Sequence, residues 1–392
     1  MSSRSINNLG GHYYISAASL LLEYRMFIDS HPTLFKVNTA NPYWPKLVYY
    51  CEELEKSPEI MCFITKIHID SQIDFERSLF CSWCSLLIAG AMGMSEMHQR
   101  TVFCAGLLQD IGKYASDEET QKAISTSIKP LFKTNNDLFD KDIHPLISAK
   151  FAEKNLSELD DIADLILHHH ARYDGTGYPK HISESQLGVD NQIIIVANEI
   201  SDRLDRLGGH NQIEHVMPNL NLNSLLYFEK VHKAWIALLD EHIHRTDPEL
   251  NSQSSSVMLD EIQTKIVNLE KLLSCLLIIS SELLRYDFDL KVHALRGMVR
   301  RLTRLSADTG LFDIRLFNEK IELEPKKANV ILGDISRVLK GLPEIFSHLK
   351  YLVDVILKGN AYDINEEILS DGSTLLDKNI KALDGKKCNI FR

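Results

Sequence analysis

The sequence lacks a long uninterrupted apolar run, a surplus of positive charge and any sustained alternating strand pattern. Its longest apolar stretch, Leu272 to Leu284, is broken by Ser274, Ser280, Ser281 and Glu282. That is short of the roughly 20 residues needed to cross a bilayer, so no membrane span is expected. Residues 2–11 are polar and the run after them carries Glu23 and Arg25. No secretory leader reads from this start, and the expected location is the cytoplasm. A formal net charge of -11 excludes a general binder of nucleic-acid backbone, which needs a basic surplus or stripe. It leaves open a small anionic ligand held by a local cluster of donors or a metal. The seven cysteines are odd in number and irregularly spaced, which excludes a disulfide framework. Only Cys81 and Cys84 make a CxxC. With no second pair and no βαβ context, they read as small apolar residues on a buried helix face.

What is present is a chain of 392 residues, 44% hydrophobic and 25% charged, the composition of an ordinary globular protein. Its length implies about two or three domains. Apolar residues recur three and four apart in segment after segment, which predicts an all-α protein. The β-branched run Ile193–Val196 continues into Ala197, Asn198, Glu199 and Ile200 and is read as a helix start. Residues 1–64 read as a helical N-terminal extension, interrupted at Asn41-Pro42-Tyr43-Trp44-Pro45, where two prolines deny helix continuation. The polar stretch His242–Ser256 is the best linker candidate, so residues 65–247 form a central domain and residues 257–392 a separate unit. That unit repeats Leu259, Ile262, Ile266, Leu269, Leu273 and Leu276, then Ile335, Leu339, Leu342, Ile345, Leu349 and Leu352, which predicts a helical bundle. Gly310, Pro325 and Gly341-Leu342-Pro343 are candidate breaks or kinks in it.

Between about residues 70 and 205, ionisable residues stand at the ends of apolar stripes rather than opposite them. After Val102, Phe103, Gly106 and Leu107, the helical period brings Asp110 onto the inward face. After Ile162, Leu165 and Ile166 it brings His169 and His170 inward, while His168 falls in line with Asp161 and Asp164. Buried polar groups left unpaired cost roughly 2 to 7 kcal/mol, so such residues pair or coordinate a metal. The loop Ala171-Arg172-Tyr173-Asp174-Gly175-Thr176-Gly177-Tyr178-Pro179 follows, punctuated by glycines that permit positive φ and stiffened by its proline.

These motifs resemble the HD-GYP domain, the fold of bacterial metal-dependent cyclic di-GMP phosphodiesterases. The paired histidine and the Asp174-Gly175-Thr176-Gly177-Tyr178-Pro179 loop match the family's order. Leu107-Leu108-Gln109-Asp110-Ile111-Gly112-Lys113 is similar to its Leu-Leu-His-Asp-Ile-Gly-Lys signature, with glutamine where histidine is expected. His144-Pro145 matches its isolated His-Pro, and Val196-Ala197-Asn198 stands where the family has Val-Ala-Asp. The resemblance covers residues 65 to about 245. It implies a helical core with two adjoining metal-ligand sets that share the aspartate. One set, Asp110, His144, His169 and His170, is complete. The other has Arg77, Gln109 and Asn198 where histidine, histidine and aspartate are implied. An always-protonated guanidinium cannot ligate a metal but can pair with a carboxylate, so Arg77 is expected to occupy the vacated position and neutralise Asp110.

The expectation is therefore at most one divalent metal, iron, manganese or zinc, with Asp110 and Lys113 as the residues any catalysis would use. Lys113, Arg172, Tyr173, Gly177, Tyr178 and Pro179 are the candidate lining of a site for a cyclic dinucleotide or other small phosphate ligand. The leading reading is a bacterial signalling protein that binds such a ligand or a protein partner with little or no hydrolysis. Alternatives are an active one-metal phosphodiesterase and a structural adaptor working through the C-terminal bundle. In that bundle His293-Ala294-Leu295-Arg296-Gly297 resembles the His-x-Leu-Lys-Gly of histidine phosphotransfer domains. Its other reading is a surface histidine on a bundle that docks a partner or forms a homodimer.

Overall fold

The computed structural model describes residues 6–9, 12–41, 43–114, 143–175, 177–179, 182–216, 220, 222–224, 227–240, 255–309, 311–323, 328–359, 362 and 365–384. The His242–Ser256 linker lies largely outside these residues, and Gly310 and Pro325 lie wholly outside them. Among the described residues the fold is all-α apart from one N-terminal hairpin, and the chain divides into two compact units.

The first unit holds residues 1–172, 177–214 and 233–243. It opens with strands β1 (Ile6–Leu9) and β2 (His12–Ile15), paired antiparallel with Leu9 opposite His12. This departs from the expected purely helical extension. Gly10-Gly11 between two short runs is a hairpin signal too brief to register as strand periodicity. The backbone N–H of Ile15 donates to Thr65 Oγ1 at 2.9 Å. Helices α1 (Ala17–Asp29), α2 (Pro32–Ala40), α3 (Trp44–Glu55) and α4 (Pro58–Asp70) follow, three of them starting with proline in the first turn, where its missing N–H costs nothing.

The centre of this unit is α5 (Gln72–Ala91), in which every residue from Ser78 to Ala89 is buried. Such a helix has no solvent face, so its polar groups must be satisfied within it. Ser82 Oγ does this by donating to the Ser78 carbonyl at 2.8 Å, and it also meets Tyr24 Oη at 2.5 Å. Cys81 and Cys84 are buried here, as the sequence predicts, and burial pushes the Cys81 thiol up to about 12. Helix α6 (Glu96–Leu108) packs along α5 at backbone distance. A Cβ on Gly106 would lie 2.9 Å from the Cys81 carbonyl carbon and oxygen and from Ser82 Cα. Then come α7 (His144–Asn155), the short α8 (Ile162–Leu167) and α9 (Val189–Leu207), which Gly208 ends at φ 95°. Helix α9 contains the run Ile193–Val196, helical as read, and packs on α5 and α6. Helix α10 (Glu229–Asp240) brings Trp235 edge-on to Trp83 at 6.1 Å.

The second unit holds residues 173–176, 215–232 and 244–392. Its long helices α11 (Ser255–Glu282), α12 (Leu290–Thr309), α14 (Ala328–Lys358) and α15 (Glu366–Asp384) pack as a bundle, with the shorter α13 (Ile314–Leu323) after α12. The leucine and isoleucine stripes read from the sequence are buried, except for half-buried Leu259 and Ile345. The expected interruption at Gly341-Leu342-Pro343 is absent, and α14 runs on through Pro343. Proline inside a helix costs about 3 kcal/mol. The buried Leu339, Leu342, Phe346, Leu349 and Val353 on both sides of it hold the helix in place.

The close approach of α5 and α6 gives a stability test. Gly106→Ala places a methyl group against backbone that cannot move aside as a side chain would, and is expected to cost about 1–3 kcal/mol. A urea unfolding curve with an unchanged midpoint would contradict this packing.

Candidate metal centre

Helix α6 stops at Leu108, so Asp110 stands in the turn between α6 and the 3-10 segment Ile111–Tyr114, one step beyond the helix from which its inward position is read. It is buried, 1% exposed. Gly112 then decides what reaches it. The Gly112 N–H donates to Ser148 Oγ at 2.8 Å, and a Cβ there would meet the His144 carbonyl oxygen at 2.3 Å. The missing side chain lets the first turn of α7 come down onto this segment, placing His144 Nε2 3.2 Å from Asp110 Oδ1.

The other two histidines come from the turn that ends α8. His169 Nδ1 lies 2.7 Å from the Ile166 carbonyl, which fixes the proton on Nδ1 and leaves the Nε2 lone pair facing inward. Its Nε2 is 3.6 Å from Asp110 Oδ1 and 3.3 Å from His144 Nε2. His170 Nε2 is 3.2 Å from His144 Nε2. One ligand atom from each of Asp110, His144, His169 and His170 thus lies within 4.8 Å of every other. His168, as its spacing implies, turns aside to Asp164, with Nδ1 3.0 Å from Oδ1.

Electrostatics keep the His169 and His170 rings neutral. Burial holds His169 below the ordinary histidine range against the pull of Asp110, and burial with His169 beside it drives His170 far below. For Asp110, burial alone would raise the carboxyl, but His144, His169 and Lys113 hold it well below the usual carboxylate range. His169, with its proton on Nδ1, turns a lone pair toward the same point as the ionised carboxylate, and these two acceptors cannot satisfy one another. Neither Asp110 oxygen receives a well-directed hydrogen bond among the described residues. A divalent cation fits this donor set, with three nitrogens and one oxygen as ligands.

On the other side of Asp110 lies Arg77, from the first half of α5, its side chain 11% exposed. Its Nε is 3.4 Å from Asp110 Oδ2, its Nη2 is 2.5 Å from Asp202 Oδ1, and its Nη1 is 3.3 Å from Asp205 Oδ2. Nη2 also donates to Asn198 Oδ1 at 2.6 Å, which accepts a second bond from Gln109 Nε2 at 3.1 Å. Asn198 Nδ2 donates in turn to the His169 carbonyl at 3.4 Å. Burial works against the Arg77 charge, and Asp110 and Asp202 more than restore it. The three residues standing where the resemblance implies metal ligands therefore form one hydrogen-bonded group centred on a guanidinium. Sequence reasoning missed Asp202 and Asp205. The signal was present, because Asn198, Asp202 and Asp205 fall four and seven residues apart on one face of α9.

Lys113 Nζ lies 3.0 Å from Asp110 Oδ1 and 3.8 Å from Asp74 Oδ1, with a third of its side chain exposed. Tyr178 stacks on His170, ring centroids 4.6 Å apart, and its N–H donates to the His170 carbonyl at 3.3 Å. Gly177 makes this fold-back possible, since a Cβ there would meet the same carbonyl oxygen at 2.3 Å. Pro179 follows through a cis peptide bond and is half-buried, while Arg172 is exposed. Tyr173 belongs to the second unit, where it stacks on Tyr227 at 3.9 Å beneath the Arg301 guanidinium. Asp174 Oδ2 lies 3.8 Å from His348 Nε2 in that unit, a pairing with no sequence signal.

A family model described as the HD domain matches residues 67–212. A cyclic di-GMP phosphodiesterase of Thermotoga maritima is 28% identical over 163 residues, 41% of this chain and 43% of its own length. The cyclic di-GMP phosphodiesterase response regulator RpfG of Xanthomonas campestris pv. campestris is 30% identical over 113 residues, 29% of this chain and 28% of its own. The chain thus spans less than half the length of these curated relatives. No solved structure matches.

The arrangement around Asp110 predicts a large effect from removing the arginine. Arg77→Met keeps much of the bulk and leaves Asp110 Oδ2 without its cation, with Lys113 remaining on Oδ1, so the cost is at most the about 3–5 kcal/mol of a broken buried pair. Asp202 and Asp205 are partly exposed and add little to that figure. Arg77→Lys is expected to recover only part of it, since an ammonium cannot span three acceptor groups. Chemical denaturation of metal-free protein at pH 7 measures both. Wild-type stability in Arg77→Met would show that Asp110 does not depend on the guanidinium.

Proposed function

Because residues 67–212 are an HD domain of the HD-GYP type, we propose that this chain is a cyclic di-GMP signalling protein that binds one divalent metal and a cyclic dinucleotide with little or no hydrolysis. The observation that carries this reading is one convergent donor set, Asp110, His144, His169 and His170, standing against an arginine held by three carboxylates. A divalent ion held by the four donors would supply Lewis acidity to a phosphoryl oxygen. Hydrolysis in a two-metal site draws on a cation for the attacking oxygen and another for the leaving oxygen. Arg77 occupies the place of the second cation but offers no lone-pair acceptor for an oxygen nucleophile, and its donors are already committed to Asp110, Asn198, Asp202 and Asp205.

Charge supports binding once the metal is in place. Asp74, Asp110, Asp202 and Asp205 outnumber Arg77 and Lys113, an excess of negative charge that one divalent cation cancels. In this reading Lys113, partly exposed beside Asp110, takes a ligand phosphate oxygen. Tyr178 offers a ring edge beside His170, and Arg172 a second cation. Residues 65–247 are the ligand-binding domain, and residues 257–392 are the bundle through which a protein partner or second copy docks.

The second reading, a one-metal phosphodiesterase, is favoured by the completeness of the four-donor set. Metal analysis of protein purified without chelators, calorimetry with cyclic di-GMP and product detection separate the two. The expected result is one divalent ion per chain, measurable binding and no product on the timescale of binding. Rapid turnover, lost in His169→Ala, would establish the second reading in place of the first. The combined substitution Arg77→His, Gln109→His and Asn198→Asp is expected to take up a second metal per chain, read by elemental analysis. An unchanged stoichiometry in a folded triple variant would show that these positions are not vacated metal ligands.

A further inference from the structure

The segment that follows Asp110 is tied down along its backbone, while one of its side chains lies between two carboxylates. In the 3-10 segment Ile111–Tyr114, the Gly112 N–H donates to Ser148 Oγ at 2.8 Å and the Tyr114 carbonyl accepts from Lys66 Nζ at 2.7 Å. The Lys113 N–H donates to the Asp110 carbonyl at 3.0 Å, and the Tyr114 hydroxyl donates to Asp74 Oδ2 at 2.5 Å. The chain on either side of Lys113 is therefore held, and only its long flexible side chain is left to change partners. Its Nζ is 3.0 Å from Asp110 Oδ1 and 3.8 Å from Asp74 Oδ1, within ion-pair reach of both.

The two seats differ. Asp110 Oδ1 is buried, and the Lys113 ammonium meets it as a charge without a directed hydrogen bond. The same oxygen faces His144 Nε2 at 3.2 Å and His169 Nε2 at 3.6 Å, so it is the one that the four-donor set presents to a cation. Arg77 takes the other oxygen. Asp74 is not among the metal donors. It lies in the first turn of α5, where the helix dipole favours negative charge, and its N–H donates to Ser71 Oγ at 3.2 Å. With Oδ2 taken by Tyr114, its Oδ1 is the atom left for Lys113.

We propose that Asp74 is a positioning residue of the metal centre: it draws Lys113 off Asp110 Oδ1 when that oxygen takes a divalent ion, and holds the ammonium where a phosphate reaches it. This rests on the four-donor reading and adds to it a competition contained within the site. Two cations on one carboxylate oxygen repel each other, so Lys113 opposes metal entry for as long as it stays on Asp110. Asp74 lowers that opposition by offering a second carboxylate 3.8 Å away. The move is short, breaks no directed hydrogen bond to Asp110 and leaves the 3-10 segment in place. Without metal, Lys113 shares with Arg77 the neutralising of Asp110. With metal bound, the same ammonium, a third of its side chain exposed, turns to a ligand phosphate.

Calorimetric titration of the full, metal-stripped chain with manganese(II) tests this. Lys113→Gln is expected to bind the ion about tenfold more tightly than wild type and Asp74→Asn about tenfold more weakly, changes of the size found for coupled neighbours. The two effects are expected not to add. The double variant binds like Lys113→Gln, to within about twofold, because Asp74 acts only through Lys113. Asp74→Glu, which keeps the second seat, is expected to recover most of the wild-type affinity. In manganese-loaded protein, inorganic phosphate is expected to bind about tenfold more weakly to Lys113→Gln than to wild type, opposite in sign to the metal. An Asp74→Asn penalty of the same size with and without Lys113 would reveal a plain negative charge near the ion and overturn the proposal. Unchanged metal affinity in Lys113→Gln would overturn it as well, and unchanged phosphate affinity would overturn the release of Lys113 to a ligand. Absence of manganese uptake by both folded wild type and folded Lys113→Gln would instead overturn the four-donor reading, and this proposal with it.

Discussion

An ionised carboxylate taken out of water must be matched by positive charge or by directed donors, and Asp110 has a cation at each oxygen. Lys113 approaches one oxygen, Arg77 the other, and His144 and His169 lie between 3.2 and 3.6 Å from the first. Much of the first unit is arranged to deliver these groups. Helix α5 carries Arg77 just before its buried run, the turn after α6 carries Asp110, and α9 brings Asn198, Asp202 and Asp205 to the guanidinium. The glycines are part of the same arrangement. Gly106 lets α6 lie against the α5 backbone, and Gly112 lets α7 lower His144 onto the carboxylate. Larger residues at either place would separate the charges that Asp110 depends on.

A guanidinium and a metal ion satisfy that constraint in different ways. A divalent ion brings double charge to a point and accepts lone pairs from any direction, so it can exchange a protein ligand for a water or a substrate oxygen. Arginine brings one charge spread over a plane, donates only, and its partners fix that plane. Arg77 meets Asp110, Asn198, Asp202 and Asp205, and Gln109 shares the Asn198 oxygen. On the opposite side of Asp110 three imidazoles converge, with the lone pair of His169 among them. One carboxylate thus separates a half built around a guanidinium from a half whose donor set fits a cation.

The helical architecture was legible because it rests on periodicity, and the buried stripes of α11 and α14 follow the sequence almost residue for residue. The inward positions of Asp110, His169 and His170 were read correctly from the same period, although both helices stop just before these residues. The 3-10 and turn geometry that follows continues the rotation closely enough to preserve the face. Arg77 beside Asp110 was expected from the chemistry of the positions where the resemblance implies metal ligands, which asks for a charge there. What stayed hidden has a common cause. The spacing of Asp202 and Asp205 from Asn198 puts them on one helix face, but only the fold shows which cation that face meets. The pairing of Asp174 with His348 joins residues far apart in sequence, and the hairpin at residues 6–15 is too short for a period of two to emerge. Pro343 was a credible break by local rules, and tertiary burial of the leucines around it overrode them.

Histidine stands in opposite surroundings in the two units, and the difference is set by what lies beside each ring. In the first unit Nδ1 of His169 is capped by a carbonyl inside the protein, its ring is buried, and its free lone pair is turned toward three other donors. Burial keeps that ring neutral, which suits a ligand to a cation. His293 in the second unit lies in other surroundings, with nearly half its side chain exposed and its Nδ1 3.5 Å from Asp287 Oδ1. Burial with a carbonyl on Nδ1 and exposure beside a carboxylate thus leave the same ring in opposite electrostatic surroundings.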